Sequence, residues 1–274
     1  MTKAIFITGG GSGIGRATAQ RFAREGWFIG LADVNAAGLA ETAALLPSGR
    51  SSTHLMEVRD RAAWASALAD FAKASGDRLD VLFNNAGIGL GGQFPDLAPD
   101  QAERMIAINF TGVVNGIYAA LPLLEKTPGA AILNTASAAA IFGSPGLAVY
   151  SATKFAVRGL TEALDLEFAE RGVDGAGIKV RSLMPSFIDT PLLDVTVSGT
   201  NSTSRERVRA AGLEFTPVEQ VADGAWDAVH GGKVHTVIGK TAKKLRFASR
   251  WAPWLLKKRR KAMEQAADLS GTRH

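Results

Sequence analysis

Tyr150 and Lys154 are the two ends of the segment Tyr-Ser-Ala-Thr-Lys, and Ser137 lies thirteen residues upstream. A phenol is a poor proton shuttle near neutral pH, because its free pKa is about 10. On a helix, a lysine four residues further on lies on the same face. Its charge favours the phenolate and makes the phenol usable as an acid and base. The segment Thr8-Gly9-Gly10-Gly11-Ser12-Gly13-Ile14-Gly15 carries a second kind of chemistry. It joins an apolar run to a helical pattern. Such glycines let the backbone approach a pyrophosphate, and the helix N-terminus offers N–H groups and a positive dipole end. Asp33 closes the next apolar run, at the spacing expected for a carboxylate that accepts hydrogen bonds from the adenosine ribose and repels a 2′-phosphate. Ser12, Val34 and Asn35 offer no cation to hold such a phosphate, so NAD is expected over NADP. Together the two features predict hydride transfer coupled to proton transfer.

Elements of alternating type must hold these groups. Short apolar runs at residues 4–7, 27–32, 53–58, 79–83, 130–134, 178–183 and 234–238 predict seven strands. Helical patterns fall between them at residues 13–25, 36–46, 61–74, 99–124 and 149–171, with Asp60 as an N-cap and Gly26 and Gly172 as stops. This alternation predicts an α/β fold: a Rossmann-type doubly wound parallel seven-stranded sheet with helices on both faces. Residues 1–240 read as a single catalytic domain and residues 241–274 as a basic, tryptophan-containing extension. Residues 186–201, with the polar segment 202–209 behind them, read as a mobile lid after strand six, and the tail beyond Thr241 also reads as mobile.

The ordered set of motifs resembles the short-chain dehydrogenase/reductase family, single-domain branch, over about residues 3–239. Gly9, Gly13 and Gly15 fit its glycine motif, and Asn84-Asn85-Ala86-Gly87 fits the segment that stabilises the central sheet beside the adenosine ribose. Asn109, Ser137, Tyr150 and Lys154 fit its catalytic residues. The resemblance implies that Tyr150 moves the alcohol proton, Lys154 holds the nicotinamide ribose, Ser137 orients the substrate oxygen and Asn109 holds a water that links Lys154 to solvent. Gly11, Ser12, Ile14, Asp33, Asn85, Ala86, Gly87, Ile188 and Thr190 complete the implied cofactor site, Ile188 and Thr190 at positions that hold the carboxamide. There are two departures. Glu57-Val58 stands where the family usually has aspartate-valine, and Pro185-Ser186 where it usually has proline-glycine. Glu57 is carried as a longer acid reaching adenine, with Val58 acting through its backbone. The Ser186 side chain is expected to narrow the nicotinamide pocket or change the turn. The family also implies a homo-oligomer, a tetramer or dimer using the helices at 99–124 and 149–171.

The substrate pocket is expected after strands four, five and six, from Ile88, Ala138, Phe142, Phe187, Leu192 and Leu193. These are mostly apolar and include no arginine for a carboxylate, which points to a hydrophobic secondary alcohol or ketone. The chain has no cysteine and its four histidines show no ligand spacing, so no disulfide and no metal is expected. No signal pattern opens the sequence and no run of 18 uncharged apolar residues occurs, so a cytoplasmic protein is expected. The net charge of +5 hides an asymmetry: twelve Lys/Arg against two acids from Lys233 onward, and a net −5 before it. The basic, tryptophan-bearing tail reads first as an arm packed on the domain or a neighbouring subunit. Membrane-surface contact is the less favoured reading, and no nucleic-acid partner is expected. A nonenzymatic dinucleotide sensor on the same fold is the alternative function. A sugar-nucleotide epimerase would need a larger C-terminal substrate domain than the chain provides.

Overall fold

Ala4, Ile5, Phe6 and Ile7 are all fully buried, which requires a strand covered on both faces. They form β1 (Ala4–Thr8) at the centre of a parallel sheet, in a computed structural model that describes residues 2–254 and 256. The other strands are β2 (Phe28–Asp33), β3 (Ser51–Leu55), β4 (Val81–Asn84), β5 (Ala131–Thr135), β6 (Lys179–Pro185) and β7 (His235–Ile238). Their spatial order is β3-β2-β1-β4-β5-β6-β7, with every pairing parallel. The chain winds outward from β1 to β3, then returns to the other side of β1 for β4. The crevice outside the carboxyl ends of β1 and β4 is therefore the place for a ligand in such a sheet.

Alternation along each strand feeds two cores. Phe6, Leu82, Ile132 and Val180 face α3 (Arg61–Ser75), α5 (Gly112–Leu124) and α6 (Ala148–Glu167) through Trp64, Phe71, Ile117 and Val157. Ile5, Ile7, Val81, Leu133 and Leu183 face α1 (Gly13–Arg24), α2 (Ala36–Ala44) and α8 (Val218–His230) through Phe22, Leu39, Val221 and Ala225. Asp60 caps α3 as predicted, its carboxylate accepting from the N–H groups of Ala62 and Ala63. Gly26, at a φ of 77°, follows the end of α1 in the left-handed region that glycine tolerates.

The predicted helix at 99–124 is interrupted. α4 (Pro99–Ile106) passes through a π turn at Ala107–Thr111 into α5. By length and apolarity alone, Pro99–Leu124 could cross a membrane. Here it packs on β4, α3 and α6, and its buried Asn109 and Asn115 amides bond to backbone across the interface.

Three sequence expectations change. β3 pairs two residues earlier than predicted, because Met56 N–H bonds to Asp33 O and the chain then turns, Asp60 N–H bonding to Glu57 O. The segment expected as a mobile lid is built: a 3-10 turn at Pro191–Asp194, then α7 (Ser204–Ala210), capped by Thr203 and Glu206 in a reciprocal capping box. The tail expected to be mobile begins as α9 (Lys240–Trp251). The rest of the predicted extension, residue 255 and residues 257–274, lies outside the described residues.

Candidate active site

The glycine turn leaves its helix end open. Ser12 is the N-cap of α1 but makes no side-chain cap bond, and the first turn of α1 holds no acidic residue. The N–H groups there are left for an anion. A Cβ on Gly15 would overlap the carbonyl oxygen of Gly9, so only glycine fits under the turn. Arg16, which the motif reading passed over, fastens the turn from behind: its guanidinium donates to Gly11 O, to Glu41 and to Thr42 Oγ1. Asp33 stands at the end of β2 beside this turn, its Oδ2 accepting from Gly11 N–H at 2.9 Å and its Oδ1 from Asn35 N–H at 3.0 Å. These features fit a dinucleotide: a bare helix terminus, a cradle that side chains would fill, and a carboxylate at its rim.

Thr8 ties the turn to β4. Its hydroxyl accepts from the N–H groups of Asn85 and Ala86, and Asn85 Nδ2 donates to Thr8 O. Asn84 Nδ2 bonds to Asn134 Oδ1, and Asn134 Nδ2 to Thr161 Oγ1, a buried row running β4–β5–α6. Thr135 closes the arrangement, its hydroxyl donating to Asn85 Oδ1 and its carbonyl accepting from Lys154 Nζ at 2.8 Å. Thr135 and Thr8 carry no distinctive sequence spacing; their only signal is a hydroxyl at the carboxyl end of a strand.

Ser137, Tyr150 and Lys154 come together. Ser137 caps the 3-10 turn Ala138–Ala140, accepting from Ala139 N–H, and its hydroxyl lies beside the Tyr150 phenol. Lys154 Nζ lies 5.7 Å from the Tyr150 ring centre. Burial pushes the phenol above its ordinary pKa, partly offset by the Ser137 hydrogen bond. Burial also pulls Lys154 down to about 8. Desolvation thus outweighs, in the net direction, the lowering of the phenol expected from the ammonium, whose Nζ donates to the Thr135 carbonyl.

Asn109 sits in the π turn, a feature that takes one carbonyl out of the helical ladder. Both Nδ2 hydrogens are used, on Ile88 O and Thr153 Oγ1, and Oδ1 accepts from Ile88 N–H at 2.8 Å. The side chain therefore fixes the loop after β4 and keeps one Oδ1 lone pair unused. Gly87 lies between; a Cβ there would stand 3.1 Å from Asn109 Oδ1 and 3.7 Å from Lys154 Nζ.

The two family departures also resolve. Glu57 pairs its carboxylate with Arg59, and that pairing holds it below the usual carboxylate range. Val58 is buried, and its carbonyl is taken by Trp64 Nε1 and Asn115 Nδ2. The Ser186 side chain does not narrow the pocket: its hydroxyl bonds to Thr216 Oγ1 and sits against Gly239, while its N–H extends the β6–β7 ladder from Pro185 to Ile238 O. Ile188 is buried in the α8-side core and pairs with Thr216, so only its backbone faces the crevice side. Thr190 is buried with its methyl against Gly13.

Of the predicted pocket residues, Leu192 lies over Gly89, and Leu193 N–H closes the turn on Thr190 O. Ile88 and Ala138 are part-buried, Phe187 holds Thr216 N–H through its carbonyl, and Leu192 and Phe142 are the exposed members of the set. Val197 and Ser198, not anticipated, dock on Gly91 and Gly92 and close one side of the mouth.

Comparison with known proteins agrees with this geometry. Residues 3–200 match the family model described as short chain dehydrogenase. The chain is 36% identical over 220 residues to a meso-2,3-butanediol dehydrogenase of Serratia marcescens, covering 80% of this chain and 84% of that one. It is 37% identical over 194 residues to a 2,5-dichloro-2,5-cyclohexadiene-1,4-diol dehydrogenase of Sphingobium indicum, covering 69% of this chain and 74% of the relative. Among solved structures, a short chain dehydrogenase/reductase from Burkholderia phymatum in complex with NAD superposes with a TM-score of 0.80 at 26% identity, covering 94% and 95% of the two chains. A 3-ketoacyl-(acyl-carrier-protein) reductase from Brucella melitensis, complexed with NADH, gives 0.74 at 27% identity, covering 86% and 96%.

Proposed function

The chain belongs to the short-chain dehydrogenase/reductase family, and from that premise we propose that it exchanges a hydride between NAD and a hydrophobic secondary alcohol or ketone, with Tyr150 moving the proton. The observation that carries this reading is the placement of the Ser137 hydroxyl beside the Tyr150 phenol, with the buried Lys154 Nζ 5.7 Å from the centre of that ring. The two diol dehydrogenases among its relatives support oxidation at a CH–OH carbon.

The open N-terminus of α1 and the glycine turn receive the pyrophosphate. Asp33 accepts from the adenosine ribose hydroxyls, which is the basis for NAD over NADP. Asn85, Ala86 and Gly87 line the floor, Lys154 holds the nicotinamide ribose, and the Ile188 backbone and Thr190 meet the carboxamide. The nicotinamide supplies or accepts the hydride. The chain supplies position and protons. Ser137 donates to the substrate oxygen and steadies developing charge. Tyr150 takes the proton from the alcohol oxygen in oxidation and returns it in reduction. Lys154, lowered to about 8 and still charged at neutral pH, stabilises the phenolate as it forms. Asn109, through the remaining lone pair of its Oδ1, holds the water that links Lys154 to solvent. Apolar Ile88, Leu192 and Leu193 favour a substrate without charge.

Residues 1–240 are read as one catalytic unit, assembled as a homo-oligomer through α4–α5 and α6. Exposed Ile106, Tyr118, Phe155 and Leu166 on those helices support that assembly.

The test is reduced-nicotinamide absorbance with a panel of hydrophobic secondary alcohols, NAD and NADP run in parallel. Tyr150→Phe should lower kcat by about 10²–10⁴-fold while NADH still binds. A variant with unchanged turnover would remove Tyr150 from the reaction. Asp33→Asn should erode the preference for NAD; wild-type turnover with NADP alone would overturn the cofactor assignment. A sensor would bind NADH and turn over nothing. The buried, destabilising Lys154 charge argues against that role, since a sensor needs no proton relay.

A further inference from the structure

α9 puts its small side chains inward and its large ones outward. Ala242 is fully buried, and Ala252 and Leu256 beyond the helix are buried too. Through this side α9 packs on β7 and on the Ala138–Ala140 turn that follows Ser137. Its outer side exposes Lys240, Lys243, Lys244, Arg246, Phe247, Arg250 and Trp251. Phe247 and Trp251 stand one helical turn apart and so share a face with Lys240, Lys243 and Lys244. Trp254 follows past the break at Ala252, and the three aromatics are 65%, 64% and 62% exposed. The packed-arm reading of the tail therefore does not hold for Trp251 and Trp254 on their own chain.

Charge on this surface is of one sign. α9 contains no acidic residue. Among the described residues, Lys240 is the only one of its cations with a carboxylate partner, the exposed Glu214. The sequence then continues into Lys257-Lys258-Arg259-Arg260-Lys261. Lysine is depleted and buried charge is costly in the core of a protein–protein interface, whereas cations flanking exposed Trp and Phe are what an interfacial helix presents to acidic headgroups.

We propose that α9, with Trp254, is a peripheral docking surface for an anionic lipid bilayer. Phe247, Trp251 and Trp254 enter the headgroup boundary while Lys243, Lys244, Arg246 and Arg250 meet the acidic headgroups. The inner side of the same helix rests on the Ala138–Ala140 turn, the element that follows Ser137.

The test is co-sedimentation of the full chain with vesicles of pure phosphatidylcholine and of an equimolar mixture with phosphatidylglycerol, at physiological and at high salt. The expected result is pelleting with the anionic vesicles only, weakened by salt. Two variants, Phe247→Ser/Trp251→Ser and Lys243→Glu/Lys244→Glu, should each reduce the vesicle partition coefficient by roughly tenfold or more, with solution turnover unchanged. Failure to pellet with anionic vesicles overturns the proposal, as does equal partitioning of the charge-reversed variant. If the variants instead lower the assembly mass by light scattering while wild type ignores vesicles, the surface belongs to a second copy. If wild type ignores vesicles but shifts a duplex oligonucleotide in a salt-dependent way, it belongs to nucleic acid. Both outcomes overturn the lipid assignment.

Discussion

Lys154 is the residue where stability and chemistry conflict. It is 4% exposed, its ammonium sits under the Thr135 carbonyl, and burial lowers it to about 8. The unfolded chain holds that proton to about pH 10.4. Between these values the unfolded state binds more protons than the native state, so stability rises with pH in that window. The full effect is about 3 kcal/mol, absent above the window and complete as a penalty below it. Lys154→Met removes the titration. The urea midpoint of the wild type, measured without added cofactor, should therefore gain on that of Lys154→Met as pH rises from 8 toward 10. Tyr150, raised by the same burial, acts in the opposite sense only above the ordinary phenol value of about 10. Parallel midpoints across this window would mean that Lys154 titrates as a solvated lysine and is not poised for proton transfer. Both side chains of the proposed proton relay were legible in the sequence because their spacing is a single helical turn. Their electrostatics were not, because desolvation depends on which loops cover them.

At the scale of elements, the β/α alternation was readable because each strand is a short apolar run and each helix carries its own cap, as with Asp60 and α3. The lid was harder. Its 3-10 turn and α7 are held by one arginine whose partners lie more than ten residues back. Arg205 pairs with Asp189 and with Asp194, and donates to the Thr190 carbonyl at 2.9 Å. Local composition therefore read as a loop what a single side chain closes. Thr190 in turn rests on Gly13 of the glycine turn, so Arg205 clamps the segment that would cover cofactor and substrate in the proposed function. Arg205→Ala leaves two neighbouring carboxylates without their cation, and a charged hydrogen bond of this kind contributes roughly 1.5–3 kcal/mol. Steady-state kinetics should show KM rising about tenfold or more for both cofactor and substrate, with kcat changed far less, because no reacting group is touched. A fall in kcat alone would place Arg205 in the chemistry and not in the clamp.

Across the whole molecule, the sheet carries a histidine on each edge strand, buried on β3 and half-buried on β7. On β3, His54 lies under Phe6 and Phe71 with Nε2 bonded to Ser52 Oγ, and Asp70 is its nearest charge. On β7, His235 bonds through Nδ1 to Ser182 Oγ on β6 and through Nε2 to Glu162 on α6. Glu162 also accepts from Arg158, whose other arm reaches Ala140 O in the turn after Ser137. This chain of contacts joins residues up to 73 apart, so no spacing in the sequence announced it. Glu162 is held low chiefly by Arg158, so it remains a carboxylate that needs a donor. The neutral His235 tautomer with its proton on Nε2 satisfies Glu162 and leaves Nδ1 to accept from Ser182. Burial lowers both histidines, and for His235 it outweighs the attraction of Glu162, with Arg158 and Arg246 adding repulsion. A histidine whose native pKa lies below the unfolded value of about 6.5 is protonated first in the unfolded state. Stability therefore falls as pH drops through that value. The lowered carboxylates Glu57, Glu162 and Glu206 act only near and below about pH 4.3, outside this window. The urea midpoint of the wild type should accordingly fall between pH 7.5 and 5.5. His54→Gln and His235→Gln should each remove part of that fall, and the double variant should be nearly flat. If the double variant loses stability as steeply as the wild type, the two sheet edges are not where acid first acts.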